Sequence, residues 1–132
     1  MILPITKEEF KSWTKDLTVE LETWHDKIEV FGRWFHEADL AEIILSNGEG
    51  IVYLKPSYLP EERELGIVVR KEFQGIGNGH RLLRAIEEKA KGKTLVAKVF
   101  SKNQACLEML LHNGWSILED SSYGFKILTK KI

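Results

Sequence analysis

The sequence predicts a single domain, residues 1–132, of the α/β class. Three observations support this prediction. Short apolar runs of strand length alternate with segments of helical periodicity. An Asn-Gly dipeptide separates two of the apolar runs, as in a tight hairpin. A glycine-rich stretch, FQGIGNGH, lies between a β-branched run and an amphipathic helix. The predicted order is β-α-α-β-β-β-α-β-α-β-β, and the length suits one core.

The N-terminal part is predicted to hold an edge strand and two helices. Residues 1–5 form a short apolar run in which Pro4 is tolerated only at a sheet edge. Thr6 and Glu9 have capping-box spacing, which predicts a helix over about 6–17. A second helix, ending near Ala38, is indicated by large apolar residues at helical spacing. These are Trp24, Ile28, Phe31 and Phe35.

The middle of the chain is predicted to form a hairpin followed by a buried strand. The apolar runs 40–45 and 51–54 flank Asn47-Gly48, which supplies the positive φ angles that a tight turn needs. A loop is expected at 56–60. The β-branched run 65–69 then has the length and composition of a buried strand.

The remaining elements continue the alternation of helix and strand. A helix closed by Gly92 follows the glycine-rich stretch, with one apolar face. That face consists of Leu82, Leu83, Ile86 and Ala90. Residues 94–100 are predicted to form a strand and 104–113 a helix that ends at Gly114. A final strand pair, 115–118 and 123–129, is expected across the turn at 120–122.

Composition excludes several classes of protein. Hydrophobic residues make up 43% and charged residues 30%, which is typical of a globular domain. With a net charge of -1 and no long charged block, nothing predicts a nucleic-acid or membrane partner. No apolar run is long enough to cross a bilayer, and the N-terminus lacks signal-peptide features. The single cysteine, Cys106, excludes an internal disulfide and favours a cytoplasmic location.

The glycine-rich stretch has the composition of an anion-binding loop. Bare backbone N–H groups at the start of a helix attract phosphate. The dinucleotide pattern GxGxxG fails, because position 80 is His, and the triphosphate loop GxxxxGK[ST] is absent. A turn that merely allows close packing of strand and helix is the alternative. Basic residues around the loop favour a phosphate ligand, namely Arg70, Lys71, Arg81 and Arg84.

At these residues the chain resembles the GNAT superfamily of N-acetyltransferases. Gln74-Gly-Ile-Gly77-Asn-Gly79 matches the family's acyl-CoA pattern R/Q-x-x-G-x-G/A. Asn103, Leu107 and Gly114-Trp115 are similar to the family's second conserved segment, with Trp in place of Phe. The resemblance implies a mixed β-sheet flanked by helices, acetyl-CoA as the co-substrate and no metal.

The same resemblance implies a set of cofactor-binding residues. The strand residues Ile67, Val68 and Val69 would offer backbone amides. Asn103 would contribute from the second segment. The loop would hold the pyrophosphate of CoA, largely through its backbone. Its residues are Gln74, Gly75, Ile76, Gly77, Asn78, Gly79 and His80.

The implied reaction is transfer of an acetyl group to an amine within a ternary complex. An ammonium acceptor must lose a proton, and Glu64, or Glu62, is the candidate general base. A solvated charge at the strand end is the alternative for both glutamates. Leu110 stands where many family members carry the tyrosine that protonates the thiolate. Possible substitutes are Tyr123, Tyr58 and Cys106, although Cys106 is more simply a buried inert thiol.

The acceptor is expected to be a small-molecule amine or a protein amino group. By resemblance, its site would be lined by the early helices, including Trp34, by the hairpin loops and by nearby acidic residues, which are Glu37, Asp39 and Glu42. A core face with solvated charges is the alternative for this region. The four histidines have no metal-binding spacing. The resemblance also leaves a homodimer open. Two rival functions stay open, a catalytically weak CoA-binding module and a small nucleotide-binding domain.

Overall fold

The computed structural model describes residues 1–13, 37–120 and 124–132. It contains one seven-stranded mixed sheet in the order β1-β2-β3-β4-β5-β7-β6. The strands are β1 Leu3–Pro4, β2 Ile43–Ser46, β3 Gly50–Pro56, β4 Glu62–Val69, β5 Thr94–Phe100, β6 Ser116–Asp120 and β7 Phe125–Lys131. Among the described helices, none is long and apolar enough to cross a membrane.

Sheet pairing is antiparallel from β1 to β4 and again among β5, β7 and β6. The one parallel pair in the described sheet joins β4 to β5. Between these two strands the chain crosses over one face of the sheet through α1, Asn78–Lys89. A second helix, α2 Gln104–His112, follows β5. A short 3-10 turn, Lys71–Phe73, connects β4 to the loop before α1.

The two faces of the sheet carry separate hydrophobic clusters. Alternation along β4 places Leu65 on the face of α1 and α2, in a core that includes Leu82, Ile86, Leu107 and Leu110. On the opposite face, a smaller cluster packs against the helical residues 7–13 and 37–40. Its members are Phe10, Ala38, Ala41, Ile44, Ile51 and Tyr53, with Val68 of β4 packed against it. The helices of this second face therefore lie across the sheet from α1.

The predicted fold class and element order are confirmed, with shifts at several boundaries. The strand predicted from residue 40 starts at Ile43 instead, because residues 37–40 are helical and Ala41 N–H donates to the Glu37 carbonyl at 2.9 Å. Helix α1 begins at Asn78, inside the glycine-rich stretch, since Gly77 adopts a left-handed N-cap conformation. β3 and β4 are longer than predicted, so Glu62 and Glu64 belong to a strand.

The turn of the predicted final strand pair falls partly outside the described residues, while the pair itself is present as β6 and β7. The predicted stripe of the second helix and Leu17 of the first also lie outside the described ranges. The same holds for Trp34, Tyr123, His25 and His36.

Candidate active site

A gap between β4 and β5 is the main feature of the candidate site. The two strands pair only from Glu62 to Glu64 on β4 and from Thr94 to Val96 on β5. Beyond these pairs, β4 continues to Val69 and β5 to Phe100 without further partners between them. Parallel strands that separate in this way expose backbone polar groups at their facing edges. The gap therefore closes at Glu64 and opens toward the loop before α1.

The hydrogen-bonding alternation of β4 shows which of its amides face the gap. Arg70 N–H donates to the Glu49 carbonyl at 2.9 Å, and Thr94 N–H donates to the Glu61 carbonyl at 2.9 Å. In an antiparallel pair, alternate residues turn both backbone groups to the same neighbour. Ile67 and Val69 consequently direct their N–H groups toward the gap, whereas Val68 directs its N–H group toward β3.

The glycine loop presents open backbone at the wide end of the gap. Gly75 and Gly77 have φ angles of +81° and +86°, a conformation that side chains disfavour. A Cβ on Gly75 would meet no heavy atom within 4 Å, and Ile76 is exposed. Across the described residues, no hydrogen bond uses a backbone N–H of residues 75–80 as its donor. These amides are oriented at the positive end of the α1 dipole.

The side chain of Asn78 fixes the loop rather than pointing to solvent. It is 2% exposed, and its Nδ2 donates to Glu49 Oε2 at 2.7 Å and to the Phe73 carbonyl at 3.0 Å. Its Oδ1 accepts from Asn47 Nδ2 at 3.3 Å. Gln74 Nε2 in turn donates to the carbonyl at the end of β4 at 2.9 Å. Both side chains therefore shape the loop and leave its backbone available.

Gly79 and His80 lie where α1 meets α2. A Cβ on Gly79 would come within 2.7 Å of Met109 Sδ, so a larger residue there would displace the Met109 side chain. His80 Nδ1 lies 2.8 Å from Asn113 Nδ2, and an amide nitrogen can only donate. Nδ1 is therefore the acceptor, which leaves the ring proton of neutral His80 on Nε2. The ring also packs edge-on against His112.

The basic residues around the loop do not act as one cluster. Arg81 lies beside it, with Nη1 3.4 Å from the Ile76 carbonyl and Nη2 bonded to Asn78 Oδ1. Arg84 is exposed one turn further along α1. Arg70 instead stacks on the ring of Trp13 at 4.4 Å, which places it against the N-terminal helical residues.

Residues of the second predicted segment have structural partners. Asn103 is the N-cap of α2, where its Oδ1 accepts from Cys106 N–H at 3.3 Å. Leu110 has an aliphatic side chain and is fully buried in the core, so its position supplies no proton donor. Burial raises the pKa of the Cys106 thiol to about 11, which keeps the sulfur protonated and weakly nucleophilic near neutral pH. Tyr58 is almost fully exposed in the loop after β3.

Two carboxylates lie at the closed end of the gap, on the face away from α1. Glu64 Oε2 is 3.4 Å from Lys55 Nζ, and the same ammonium lies 3.1 Å from Glu37 Oε1. Glu62 accepts a hydrogen bond from Ser57 Oγ at 2.5 Å. The sequence reasoning missed Lys55 and Ser57. The available signal for Lys55 was its position directly after the apolar run 51–54. A residue there is paired with Glu64 when β3 and β4 are neighbouring antiparallel strands.

The other acidic residues predicted near the acceptor form different pairs. Asp39 pairs with Lys11 at 2.6 Å, and Glu42 pairs with Arg63 at 3.1 Å. Glu37 is the predicted acidic residue that reaches the Lys55–Glu64 pair. Within the parts of the chain that the structure describes, no group of three or more His, Cys, Asp or Glu residues could hold a metal ion.

A pocket of about 360 Å³ opens on this same face. Glu62 and Glu64 form one side of it. Val96, Leu118 and Ile127 line it with apolar surface, and Lys98 of β5 also contributes. The remaining lining residues belong to the loop after β3 and are Pro56, Ser57 and Tyr58. The closed end of the gap therefore adjoins a small cavity with carboxylates, apolar walls and one lysine.

The arrangement fits a long, phosphate-bearing ligand such as CoA. The loop offers unpaired amides to a pyrophosphate, and the gap offers strand-edge N–H and C=O groups to the amide-containing pantetheine arm. The gap ends beside Glu64, where the thiol end of the arm would arrive. The backbone at Gly75 is open, since an added Cβ would meet no heavy atom within 4 Å. A ligand can therefore approach it without displacing a side chain.

Comparison with known structures shows the same fold. The chain is 19% identical to an IAA acetyltransferase from Bacillus cereus, with a TM-score of 0.75 and coverage of 100% of this chain and 99% of that one. A putative acetyltransferase from Salmonella typhimurium, yncA, has its cofactor acetyl-CoA bound; identity is 18%, the TM-score 0.71 and coverage 99% and 92%. The chain is also 18% identical to a PaiA N-acetyltransferase from Thermoplasma acidophilum in complex with coenzyme A, with a TM-score of 0.71 and coverage of 100% of this chain and 98% of that one.

These identities are low enough that the structural likeness establishes the fold alone. No curated protein sequence matches the chain. The family model of the acetyltransferase (GNAT) family matches residues 3–115, which include the gap, the loop, α1 and α2. Its match covers most of the sequence and contains both segments on which the resemblance depends. The chain therefore belongs to the GNAT acetyltransferase family.

Proposed function

We propose that this protein transfers the acetyl group of acetyl-CoA directly to an amine, with Glu64 as the general base. The observation that supports it best is the gap between β4 and β5. The gap runs from the open amides of the glycine loop to the carboxylate of Glu64. A cofactor site and a proton acceptor thus lie at the two ends of one cleft.

The chain's own residues have distinct roles in this reaction. The loop amides bind the pyrophosphate, and the gap-facing N–H groups of β4 orient the pantetheine arm. When bound, acetyl-CoA supplies a thioester whose carbonyl carbon can accept the amine. Glu64 takes the proton that the ammonium must lose before attack. The Ile67 N–H, which faces the gap, would donate to the carbonyl oxygen as negative charge develops on it.

Direct transfer is favoured over a covalent acetyl-enzyme. Cys106 is the chain's one cysteine, and burial keeps its thiol protonated. A thiolate nucleophile is the form that a covalent route through cysteine requires. Proton donation to the departing CoA sulfur is not assigned to a side chain, because the buried Leu110 cannot perform it.

The second candidate function is a CoA-binding module without turnover, which the buried Leu110 favours. Thermal unfolding with acetyl-CoA, CoA, ATP and NAD tests the ligand. A ligand at 100 times its Kd adds about 2.7 kcal/mol to the free energy of unfolding, which raises Tm by several degrees. We expect a rise with the two CoA compounds and none with ATP or NAD. Absence of a rise with either CoA compound contradicts the proposal.

Release of free CoA thiol from acetyl-CoA then separates enzyme from module. The acceptor panel consists of amino acids, short peptides, simple monoamines, diamines and polyamines. Acceptor-dependent thiol release, with the N-acetylated product identified by mass spectrometry, supports the enzyme. Tight CoA binding without release for any acceptor supports the module.

A further inference from the structure

The pocket beside Glu62 and Glu64 has opposite charges at its two sides and an apolar surface between them. Glu62 and Glu64 lie on β4, while Lys98 lies on β5. Within residues 1–13, 37–120 and 124–132, no carboxylate forms an ion pair with Lys98. The Glu64 carboxylate, by contrast, already lies near Lys55, which also pairs with Glu37. The β4 side therefore keeps an excess of negative charge, and the β5 side presents a cation.

The sheet register sets the distance between these two sides. Glu64 is the Cα partner of Val96, and Lys98 lies two residues beyond Val96. At about 3.3 Å per residue and about 4.8 Å between strands, the two Cα atoms are about 8 Å apart before the strands diverge. Both side chains are long and share one face of the sheet. A molecule of one or two amino-acid residues spans such a distance.

The wall between the charges is apolar. Val96, Leu118 and Ile127 come from three neighbouring strands, and Leu118 is 64% exposed. Pockets for small molecules are lined mainly by apolar side chains with a few polar groups that fix orientation, so this wall suits a ligand with an apolar side chain. The pocket volume of about 360 Å³ is at the small end of the range for ligand pockets.

From this arrangement we infer that the acceptor is an aminocarboxylate, an amino acid or short peptide with an apolar side chain. Its ammonium faces Glu62 and Glu64, its carboxylate faces Lys98, and its side chain lies on the apolar wall. A diamine or polyamine of the same length would place a second ammonium beside Lys98, which repels it. The inference depends on the proposed function, because it specifies the acceptor of that same site.

The test compares ligands that differ in one charged group. Calorimetry with CoA-saturated wild-type protein measures the Kd of each ligand. Leucine and leucyl-leucine carry the carboxylate, whereas isoamylamine, which is leucine without its carboxylate, and cadaverine lack it. We expect the better of the two carboxylated ligands to bind about tenfold or more tightly than isoamylamine, as one favourable charge contact allows. Equal or tighter binding of isoamylamine overturns the inference.

Charge reversal at Lys98 provides the second comparison. In Lys98→Glu, cadaverine should bind more tightly than either carboxylated ligand, and in Lys98→Gln the preference for the carboxylate should disappear. Lys89→Glu is the matched control, since Lys89 is exposed at the end of α1 across the sheet. An unchanged order of affinities in both Lys98 variants contradicts the inference. Circular dichroism verifies that the variants fold.

Binding and turnover distinguish this inference from the proposed function. If wild-type protein binds the carboxylated ligands preferentially but acetylates no amine, the acceptor inference stands and the catalytic proposal fails. If it acetylates amines without a carboxylate and ignores leucine and leucyl-leucine, catalysis stands and the acceptor inference fails.

Discussion

Lys55 Nζ lies 3.4 Å from Glu64 Oε2 at the closed end of the gap, where the two residues are paired on the neighbouring strands β3 and β4. The same nitrogen is 3.1 Å from Glu37 Oε1, and both Lys55 and Glu37 are largely buried. Because Glu37 already balances the lysine, Glu64 is not the sole counterion of Lys55. This relationship lets Glu64 lose its charge without leaving a buried cation unpaired.

Glu64→Gln should therefore lower turnover while leaving the fold intact. The amide keeps the shape of the side chain and an oxygen for Lys55, but it cannot accept a proton. We expect kcat to fall about 10² to 10⁴-fold, as for loss of a general base. The Kd for acetyl-CoA should change little. Steady-state kinetics and calorimetry measure the two effects.

Glu88→Gln is the control for that substitution, because Glu88 is an ion-paired glutamate on α1, across the sheet from Glu64. Its turnover should stay near that of the wild type. Unchanged kcat in Glu64→Gln removes Glu64 from the role of base and makes Glu62 the next residue to substitute.

Gly77→Val should abolish CoA binding. A valine at φ +86° is strained, and its side chain would stand where the pyrophosphate must approach the backbone. Gly92→Val carries almost the same strain, at φ +85°, beyond the far end of α1, with no heavy atom within 4 Å of a Cβ. Only Gly77→Val should lose the Tm rise with CoA. Normal CoA binding by Gly77→Val, in a protein that folds, would disprove the loop assignment.

Gly66→Ala should destabilise the protein through the ring of Tyr53. A Cβ on Gly66 would overlap Tyr53 Cζ, and the ring is buried against Phe10. We expect the free energy of unfolding to fall by about 3 kcal/mol, as for an overpacked core. Urea denaturation measures the loss.

A double-mutant cycle identifies the cause of that loss. In a Tyr53→Val background the ring is gone, so Gly66→Ala should cost much less than it does alone. Equal costs in both backgrounds would show that the destabilisation has another origin.

Cys106 should add a pH-dependent contribution to stability. Its pKa is about 11 in the folded protein and near 9.0 in the unfolded chain, so the folded state holds the proton more tightly. The contribution is present below pH 9 and is lost as pH rises from 9 to 11, by an amount on the order of 3 kcal/mol, since each pKa unit corresponds to about 1.4 kcal/mol. The difference in unfolding free energy between wild type and Cys106→Ala should show this decline.

The same variant tests direct transfer. Cys106→Ala should retain turnover, because the thiol has no covalent role in the proposed reaction. Loss of turnover in a stable Cys106→Ala protein, together with an acetylated Cys106 in the wild type, would indicate a covalent route.

Local patterns in the sequence predicted most of the fold. The Asn47-Gly48 turn and the β-branched run 65–69 depend on neighbouring residues, so they are visible without tertiary information. The second helix ends at Leu40, two residues beyond its predicted end near Ala38. The prediction ended early because Leu40 continues an apolar run although the chain there is still helical. Propensity in such a run is overridden by packing, here of Ala38 and Ala41 in the second core.

The candidate site was less accessible to sequence reasoning. The GxGxG pattern indicated the loop. The space around each of its glycines, however, depends on tertiary packing, which the pattern does not encode. Gly79 faces Met109, whereas Gly75 faces open space. The Lys55–Glu37 contact joins residues 18 positions apart, and no local period encodes it. The width of the gap likewise depends on how far β4 and β5 remain paired.

Asn78 links the hairpin between β2 and β3 to the glycine loop that we propose binds CoA. Its amide connects the turn residues Asn47 and Glu49 to the carbonyl that precedes the glycine loop. Lengthening the turn at Gly48 would shift these anchors without altering any atom that meets CoA. Sequence changes in the hairpin would therefore alter how far the glycine loop is preorganised before the ligand binds.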